Sequence, residues 1–410
     1  MDKALVITLG TGPGVESGIA RSIQVNHPDT IRFIATSESA STINRVETKL
    51  GYRLTSGEPC LIEDGDDVED CWATTDQLIC SLIGVGCQPQ DIFVDFTSGT
   101  KAMSAGAVLA AIGRECSGLV YVTGKRGPDS RVISGTERVI TVAPYRIFIE
   151  SRRRLVRDFF NAFQYEACLS LIREVRSRAA DLELQEESNR LENLVSAYSK
   201  WDRFDHRAAL NYFKQLPREW SKKWHIDMSH SKEIVSRIAR QQECYGETAD
   251  TKDKYSVEIL ADLLVNAGRR AHEGKYDDAI ARLYRATELI AQMLLARQGI
   301  DTSNVKLEEL TPKMQQEYQK SDEPIKLGQE KAYLLLETLV EGAGKHYRDN
   351  KNLRNYLSKR NSSILAHGIE PMSKSAFEEL NRETHNLALS AFPNIGSLEH
   401  KCGFPRLELI

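Results

Sequence analysis

The chain has no C-x-x-C pair, no long apolar run and no excess of positive charge, and each gap removes a class of function. Its eight cysteines (60, 71, 80, 87, 116, 168, 244 and 402) are scattered, without the partnered histidine spacing of a zinc site. They read as reduced, mostly packed thiols of a cytosolic protein. The longest small-apolar run, Ala102 to Gly113, is too short to cross a bilayer. Met1-Asp2-Lys3 leads straight into a strand-like Ala4 to Leu9, which is not a signal peptide. A cytoplasmic protein with no membrane role is expected. The net charge of -4 argues against a nonspecific coat for nucleic acid, so any RNA must be met by local charge. What remains is a soluble globular protein, 41% hydrophobic and 27% charged, whose 410 residues suit two or three domains.

Residues 1–145 alternate short apolar, β-branched runs with helical patterns. Ala4 to Leu9, Thr30 to Ala35, Ile92 to Phe96 and Leu119 to Val122 are the runs. Continuous apolar strands separated by helices are what a parallel sheet covered on both faces requires, so a doubly wound α/β domain is expected here. Ser130 to Ile133 and Arg138 to Pro144, joined through Ser134-Gly135-Thr136-Glu137, read as a hairpin closing the sheet edge.

In such sheets ligands sit past the carboxyl ends of the strands. The loop after the first strand, Thr8-Leu9-Gly10-Thr11-Gly12-Pro13-Gly14, lets backbone approach a ligand closely. It lacks the Gly-Lys-Ser/Thr of a Walker loop, and Val15 stands where the dinucleotide fingerprint has its last glycine. A tight turn without ligand is the alternative. The loop after the Ile92 strand, Asp95-Phe96-Thr97-Ser98-Gly99-Thr100-Lys101-Ala102-Met103-Ser104, sets hydroxyls, a glycine and a lysine at the start of a small-residue helix. Free N–H groups, a favourable dipole end and one mobile cation make a phosphate or polar-nucleotide cradle. An N-capped helix with a solvated lysine accounts for Ser98 or Thr100 but not for the whole cluster. Thr123-Gly124-Lys125-Arg126-Gly127 would add two cations to the same rim.

A strand, then Asp-x-Thr-Ser/Gly-Gly-Thr-Lys-x-Met, then a small-residue helix resembles the CARF domain of type III CRISPR-associated effectors. Ser98 stands where a glycine is commoner. The resemblance implies a Rossmann-like sensor whose dimers bind cyclic oligoadenylate, with Gly10, Thr11, Gly12, Thr97, Ser98, Gly99, Thr100, Lys101 and Lys125 as the binding residues. Tetra-adenylate is the ring favoured, with hexa-adenylate as the second choice.

From residue 146 the texture changes to long, charged, helix-period segments. Ser151-Arg152-Arg153-Arg154 reads as a solvated connector rather than a nucleic-acid site. Residues 146–254, including Trp201, Trp220 and Trp224, carry no catalytic constellation and read as helices packed on one another or on a second copy. Residues 255–410 read as all-helical. Tyr276, Ile280, Leu283, Thr287, Ile290 and Leu294 share one stripe, mostly core, while Arg285 and Glu288 suit a helix-surface pair.

Arg360 and His367 stand seven positions apart in Arg360-Asn361-Ser362-Ser363-Ile364-Leu365-Ala366-His367. On a helix this spacing returns both to one face, about 10 Å apart along the axis, with Ile364, Leu365 and Ala366 burying the other side. A permanent guanidinium fork suits a phosphodiester, and an imidazole exchanges protons near neutral pH. By themselves the two also fit a solvated helix face. Tyr-Asp-x-Ala-x-x-x-Tyr-Arg-x-x-Glu followed by Arg-Asn-Ser-Ser-Ile-Leu-Ala-His-Gly resembles a HEPN ribonuclease domain, at the upper end of its R-x4-6-H spacing. CARF and HEPN features in this order resemble the CARF-HEPN ribonucleases of type III CRISPR systems. The resemblance implies a homodimer that cuts single-stranded RNA without a metal once cyclic oligoadenylate is bound, with Arg360, Asn361 and His367 catalytic. A CARF-type sensor that regulates a partner, a ring nuclease that degrades cyclic oligoadenylate, a HEPN toxin under another nucleotide, and an α/β nucleotide-processing enzyme whose chemistry lies in the first domain are the competing readings. No helix-turn-helix with a basic recognition helix supports a DNA-binding regulator.

Overall fold

The computed structural model describes residues 3–408 apart from 129–131, 179–181, 218–227, 245–250, 252–253, 320–323, 341, 362 and 365–367; for 145, 146, 178, 244 and 361 it describes the backbone alone. The chain divides into two compact units, Met1–Arg153 and Arg154–Ile410.

In the first unit the elements run β1 (Ala4–Thr8), α1 (Val15–Asn26), β2 (Thr30–Ala35), α2 (Thr42–Leu50), β3 (Cys60–Leu61), α3 (Val68–Gly84), β4 (Ile92–Asp95), α4 (Lys101–Gly113), β5 (Gly118–Thr123) and β6 (Arg138–Val142). They form one six-stranded sheet in the order β3-β2-β1-β4-β5-β6. β1 to β5 are parallel, with Val6 beside Arg32 on one side and Val94 on the other, and β6 runs antiparallel to β5. Alternate residues serve opposite faces, as strand geometry requires. Ala4, Val6, Ile92 and Val94 pack with Leu78 and Ile79 of α3 and Ala107, Ala110 and Ala111 of α4. Leu5, Ile7, Ile31 and Phe33 pack with Ile19 and Ile23 of α1 and Val46 of α2. This is the doubly wound sheet that the unbroken apolar runs call for.

The edge differs from the expected hairpin. β6 pairs with β5, Leu119 opposite Val142 and Thr123 opposite Arg138, while Val132 makes an isolated bridge to Arg126. Ser130 and Arg131, the start of the expected first arm, lie outside the described residues. A longer, regular strand was available in β5, and it gives β6 a full ladder where a four-residue arm could give only part of one.

The second unit is helical: α5 (Tyr145–Asn161), inside which the two units meet along the chain, α6 (Tyr165–Arg178), α7 (Leu182–Asp202), α8 (His206–Lys214), α9 (Ser229–Cys244), α10 (Val257–His272), α11 (Tyr276–Arg297), α12 (Pro312–Tyr318), α13 (Gln329–Leu339), α14 (Ala343–Asp349), α15 (Lys351–Asn361), α16 (Lys374–Ala391) and α17 (Ile395–Cys402). One hydrophobic core joins Tyr198, Trp201 and Phe213 to Leu260, Ile280, Leu283, Leu336 and Leu387. The stripe along α11 is buried at Ile280, Leu283, Thr287, Ile290 and Leu294, and Tyr276 packs at its margin. Trp220 and Trp224 lie outside the described residues.

Inside this core is a network of charges. Asp202, at the end of α7, accepts from Arg269 Nε at 2.9 Å, from Asn266 at 3.1 Å and from Arg270. Asp262 bonds His206 Nε2 at 2.8 Å and stands 3.4 Å from Arg269 Nη2. Gln242 of α9 reaches His206 Nδ1 at 3.1 Å, and the Arg269 guanidinium lies 3.8 Å from the centre of the Phe404 ring. All of Asp202, His206, Asp262, Asn266, Arg269 and Arg270 are buried. Charges are retained in such a place only when paired.

Candidate functional site

The order of strands reverses at β1, which lies between β2 and β4, so α1 and α4 leave on opposite faces of the sheet and a crevice is left beside the loops that lead into them. A cleft of about 720 Å³ opens at this point. Gly10, Thr11, Gly12, Thr97, Ser98, Gly99 and Thr100 line it. The two loops touch through their backbones: a Cβ placed on Gly10 would lie 2.7 Å from Gly99 N. Gly99 itself has φ near +100°, a conformation that side chains strain to adopt.

The Thr97, Ser98 and Thr100 hydroxyls, expected to meet a ligand, are instead bonded to the protein. Ser98 is buried and donates to the Thr8 carbonyl, while the Thr8 hydroxyl donates to the Ser98 carbonyl. The Thr97 hydroxyl donates to Asp95 Oδ1 and accepts from Val122 N–H at 2.8 Å. Thr100 caps α4 by accepting from Met103 N–H at 3.1 Å, and it donates to the Gly65 carbonyl. Thr42 donates to the Gly10 carbonyl at 2.8 Å and Arg45 to that of Thr11 at 3.3 Å. The glycine loop and the residues that open α1 and α4 thus stand at the cleft, where helix starts offer N–H groups and a favourable dipole end.

Asp95 anchors this arrangement from below. It is fully buried, and burial pushes its carboxyl above the usual range, opposed by the polar groups of Ser22 and Thr97 beside it. Thr97 N–H donates to Oδ1 at 2.9 Å, whereas Oδ2 and the nearby Ser22 hydroxyl fall short of hydrogen-bond geometry.

Lys101 and Lys125 are exposed and lie outside the cleft lining, where the cation is Arg126. Met103 of the quoted loop also lines the cleft, as do Glu38, Glu63, Asp66 and Glu137, which were not anticipated. Glu63 and Asp66 follow β3, a strand of two residues with too short a pattern to be read, so their loop had no visible anchor.

The second site is at Arg360, near the end of α15. Leu353 and Leu357 bury one side of this helix, and Arg360 shares that side, seven residues beyond Leu353. Its guanidinium carbon lies 4.6 Å from the centre of the Tyr284 ring on α11. One turn on, Glu288 is half-buried and 3.6 Å from Arg285. Burial raises its carboxyl above the ordinary value, while Arg285 and Arg360 pull it down. Behind these, Tyr333 donates to the Thr287 carbonyl at 2.7 Å and stacks on Tyr347, ring centres 3.9 Å apart. Tyr284 and Glu288 belong to the motif quoted above but were not read as part of a site; their i, i+4 spacing on the stripe's flank was the available signal.

The helix carrying Arg360 ends at Asn361, so the one-helix spacing to His367 does not apply. Ser363 N–H bonds the Arg360 carbonyl at 3.0 Å, Ile364 N–H bonds that of Glu370 at 3.0 Å, and Ser363 bridges Glu370. The chain turns here, and Ile364 is exposed where a buried helix side was expected. His367 and the Asn361 side chain lie outside the described residues, as do Leu365 and Ala366. Among the described residues no group of three or more His, Cys, Asp or Glu is placed to hold a metal ion, and no helix is long and apolar enough to cross a membrane.

The Csm6 6H domain family matches residues 148–243, and the Csm6 HEPN domain family matches residues 248–390. No curated protein matches the chain. Among solved structures, Enterococcus italicus Csm6 bound to cyclic hexa-2'-fluoro-hexa-dAMP is similar over 98% of this chain and 98% of that one, with a TM-score of 0.58 and 15% sequence identity, a likeness of fold. A doubly wound N-terminal domain followed by these two matched segments makes the chain a member of the Csm6-like CARF-HEPN proteins.

Proposed function

We propose that this protein is an endoribonuclease of type III CRISPR antiviral defence, switched on by cyclic oligoadenylate and cutting single-stranded RNA without a metal. The observation that carries the reading is the HEPN match over residues 248–390, a span that includes Arg360 and His367. The N-terminal cleft supports the activator. Its helix starts and glycine backbones suit phosphates, and its carboxylates suit the amino groups of adenine and the hydroxyls of ribose. The Enterococcus italicus protein is bound to cyclic hexa-2'-fluoro-hexa-dAMP, a ring of six nucleotides. Hexa-adenylate is therefore the ring to test first, ahead of the tetra-adenylate favoured from sequence. A symmetric ring matches two clefts related by a twofold axis, so the working unit is a homodimer.

In the C-terminal half, Arg360 holds the scissile phosphate and stabilises the charge that develops on it. His367 acts as general base or acid while the RNA's own 2'-hydroxyl attacks phosphorus: as base it takes the hydroxyl's proton, as acid it gives one to the 5'-oxygen as the P–O5' bond breaks, and water serves the other transfer. The products are a 2',3'-cyclic phosphate and a 5'-hydroxyl. DNA lacks the attacking hydroxyl and survives. Asn361 orients the imidazole or the phosphate. Residues 1–145 sense, 146–254 connect and 255–410 cut. His367→Ala and Arg360→Ala should each abolish cleavage of a fluorogenic RNA while binding of cyclic hexa-adenylate, followed by calorimetry, persists. Loss of both would mark these as folding residues, and a strict Mg²⁺ requirement would remove the metal-free scheme.

A further inference from the structure

Arg360 is held without being used. Its guanidinium lies over the Tyr284 ring at 4.6 Å, and its Nε is buried with no hydrogen-bond partner among the described residues. Glu288, an acid whose charge interacts with Arg360, stands 3.6 Å from Arg285, and Arg285 also donates to Gln292 at 2.8 Å. Glu288 thus acts on Arg360 through its field and not through a bond.

An aromatic face attracts a guanidinium but takes none of its N–H hydrogens. A carboxylate in the same place would orient the fork and occupy it. We propose that Tyr284 is the positioning residue of Arg360, a platform that fixes the plane of the guanidinium so that its N–H edge remains available for two phosphate oxygens. The proposal rests on the reading of Arg360 as the phosphate-holding group. The relevant part of Tyr284 is its ring, so the platform survives loss of the hydroxyl and fails with loss of the aromatic face. Leucine is the discriminating replacement: it keeps apolar bulk on the flank of α11 and removes the quadrupole.

The test uses the full-length protein with saturating cyclic hexa-adenylate and a fluorogenic single-stranded RNA, and compares Tyr284→Phe, Tyr284→Leu and Arg360→Ala. Tyr284→Leu should lower kcat roughly tenfold, the scale of a partly desolvated cation–π contact, while KM for RNA, the activator concentration for half-activation and Tm hold. Tyr284→Phe should restore kcat to within about twofold of the native value. Equal activity in the two Tyr284 variants, equal loss in both, or a loss in Tyr284→Leu that follows a fall in Tm would each overturn the platform. Full activity in Arg360→Ala would overturn the reading of Arg360 itself, a result separable from the others because it requires no change at Tyr284.

Discussion

At Gly10 two backbones meet with no room for a methyl group, since the nearest atom to an added Cβ is Gly99 N at 2.7 Å. Backbone cannot step aside as a flexible side chain can. Gly10→Ala should push the two loops apart and raise the concentration of cyclic oligoadenylate needed for half-maximal RNA cutting by roughly tenfold or more. An unchanged dose response would show that the loops do not hold the activator. Asp95 gives a pH prediction. Burial raises its folded pKa above the unfolded value, so its ionisation costs stability. That cost is absent below the unfolded pKa of about 3.9, grows as pH rises towards the folded value and is constant above it. Asp95→Asn keeps an acceptor for Thr97 and offers a donor to the Ser22 hydroxyl, so its Tm relative to the native protein should climb across this acidic window. Parallel melting curves at every pH would contradict the assignment. Glu38, Glu63, Asp66 and Tyr284 were not read as site residues, whereas the loop residues Gly10 to Gly12 and Thr97 to Thr100 were legible in the sequence. Their directions were not: Thr97, Ser98 and Thr100 turn inward because neighbouring carbonyls, an N–H group and a carboxylate need partners, and residue type does not encode that.

Among the elements, long periodic segments declared themselves. The α11 stripe is buried at five of its six positions because a 3.6-residue repeat leaves a helix only one way to face a core. Short or non-local elements did not. β3 has two residues, β6 reaches across residues 124–137 to pair with β5, and α15 stops before His367 where Ser363 bridges Glu370. The buried charge network was also hidden, because Asp202, Asp262, Arg269 and Arg270 look in sequence like ordinary solvated helix faces. It ties Asp202, His206 and Gln242 of the 6H segment to Asp262, Asn266, Arg269 and Arg270 of the HEPN segment. Asp202→Ala would take one of two carboxylates from each of two buried guanidinium groups, leaving Arg269 with Asp262 at 3.4 Å and Arg270 with Glu273 at 2.8 Å, and should cost about 3 kcal/mol, read as a shift of the urea midpoint of the second unit. A change below about 1 kcal/mol, the scale of an exposed pair, would mean that the network is far better hydrated than its burial indicates.

For the whole molecule, the order of parts was the strongest signal in the sequence, since neither a glycine loop nor an Arg–His spacing identifies a protein alone. Fold and family follow from that order, while ring size does not, because the cleft is walled by loops far apart in the sequence, Gly10 to Gly14, Glu63 to Asp66 and Thr97 to Thr100 among them. The account stands on one linkage: a ring bound at the carboxyl ends of the strands must favour a cutting-competent arrangement over an idle one. The direct measurement is the cleavage rate of a fluorogenic single-stranded RNA as cyclic tri-, tetra- and hexa-adenylate are titrated into the native protein in the presence of EDTA. The account predicts near silence without a ring and a rise of roughly 100-fold with one of them, hexa-adenylate first. The same rate with and without every ring, or no cleavage with any of the three, would contradict it.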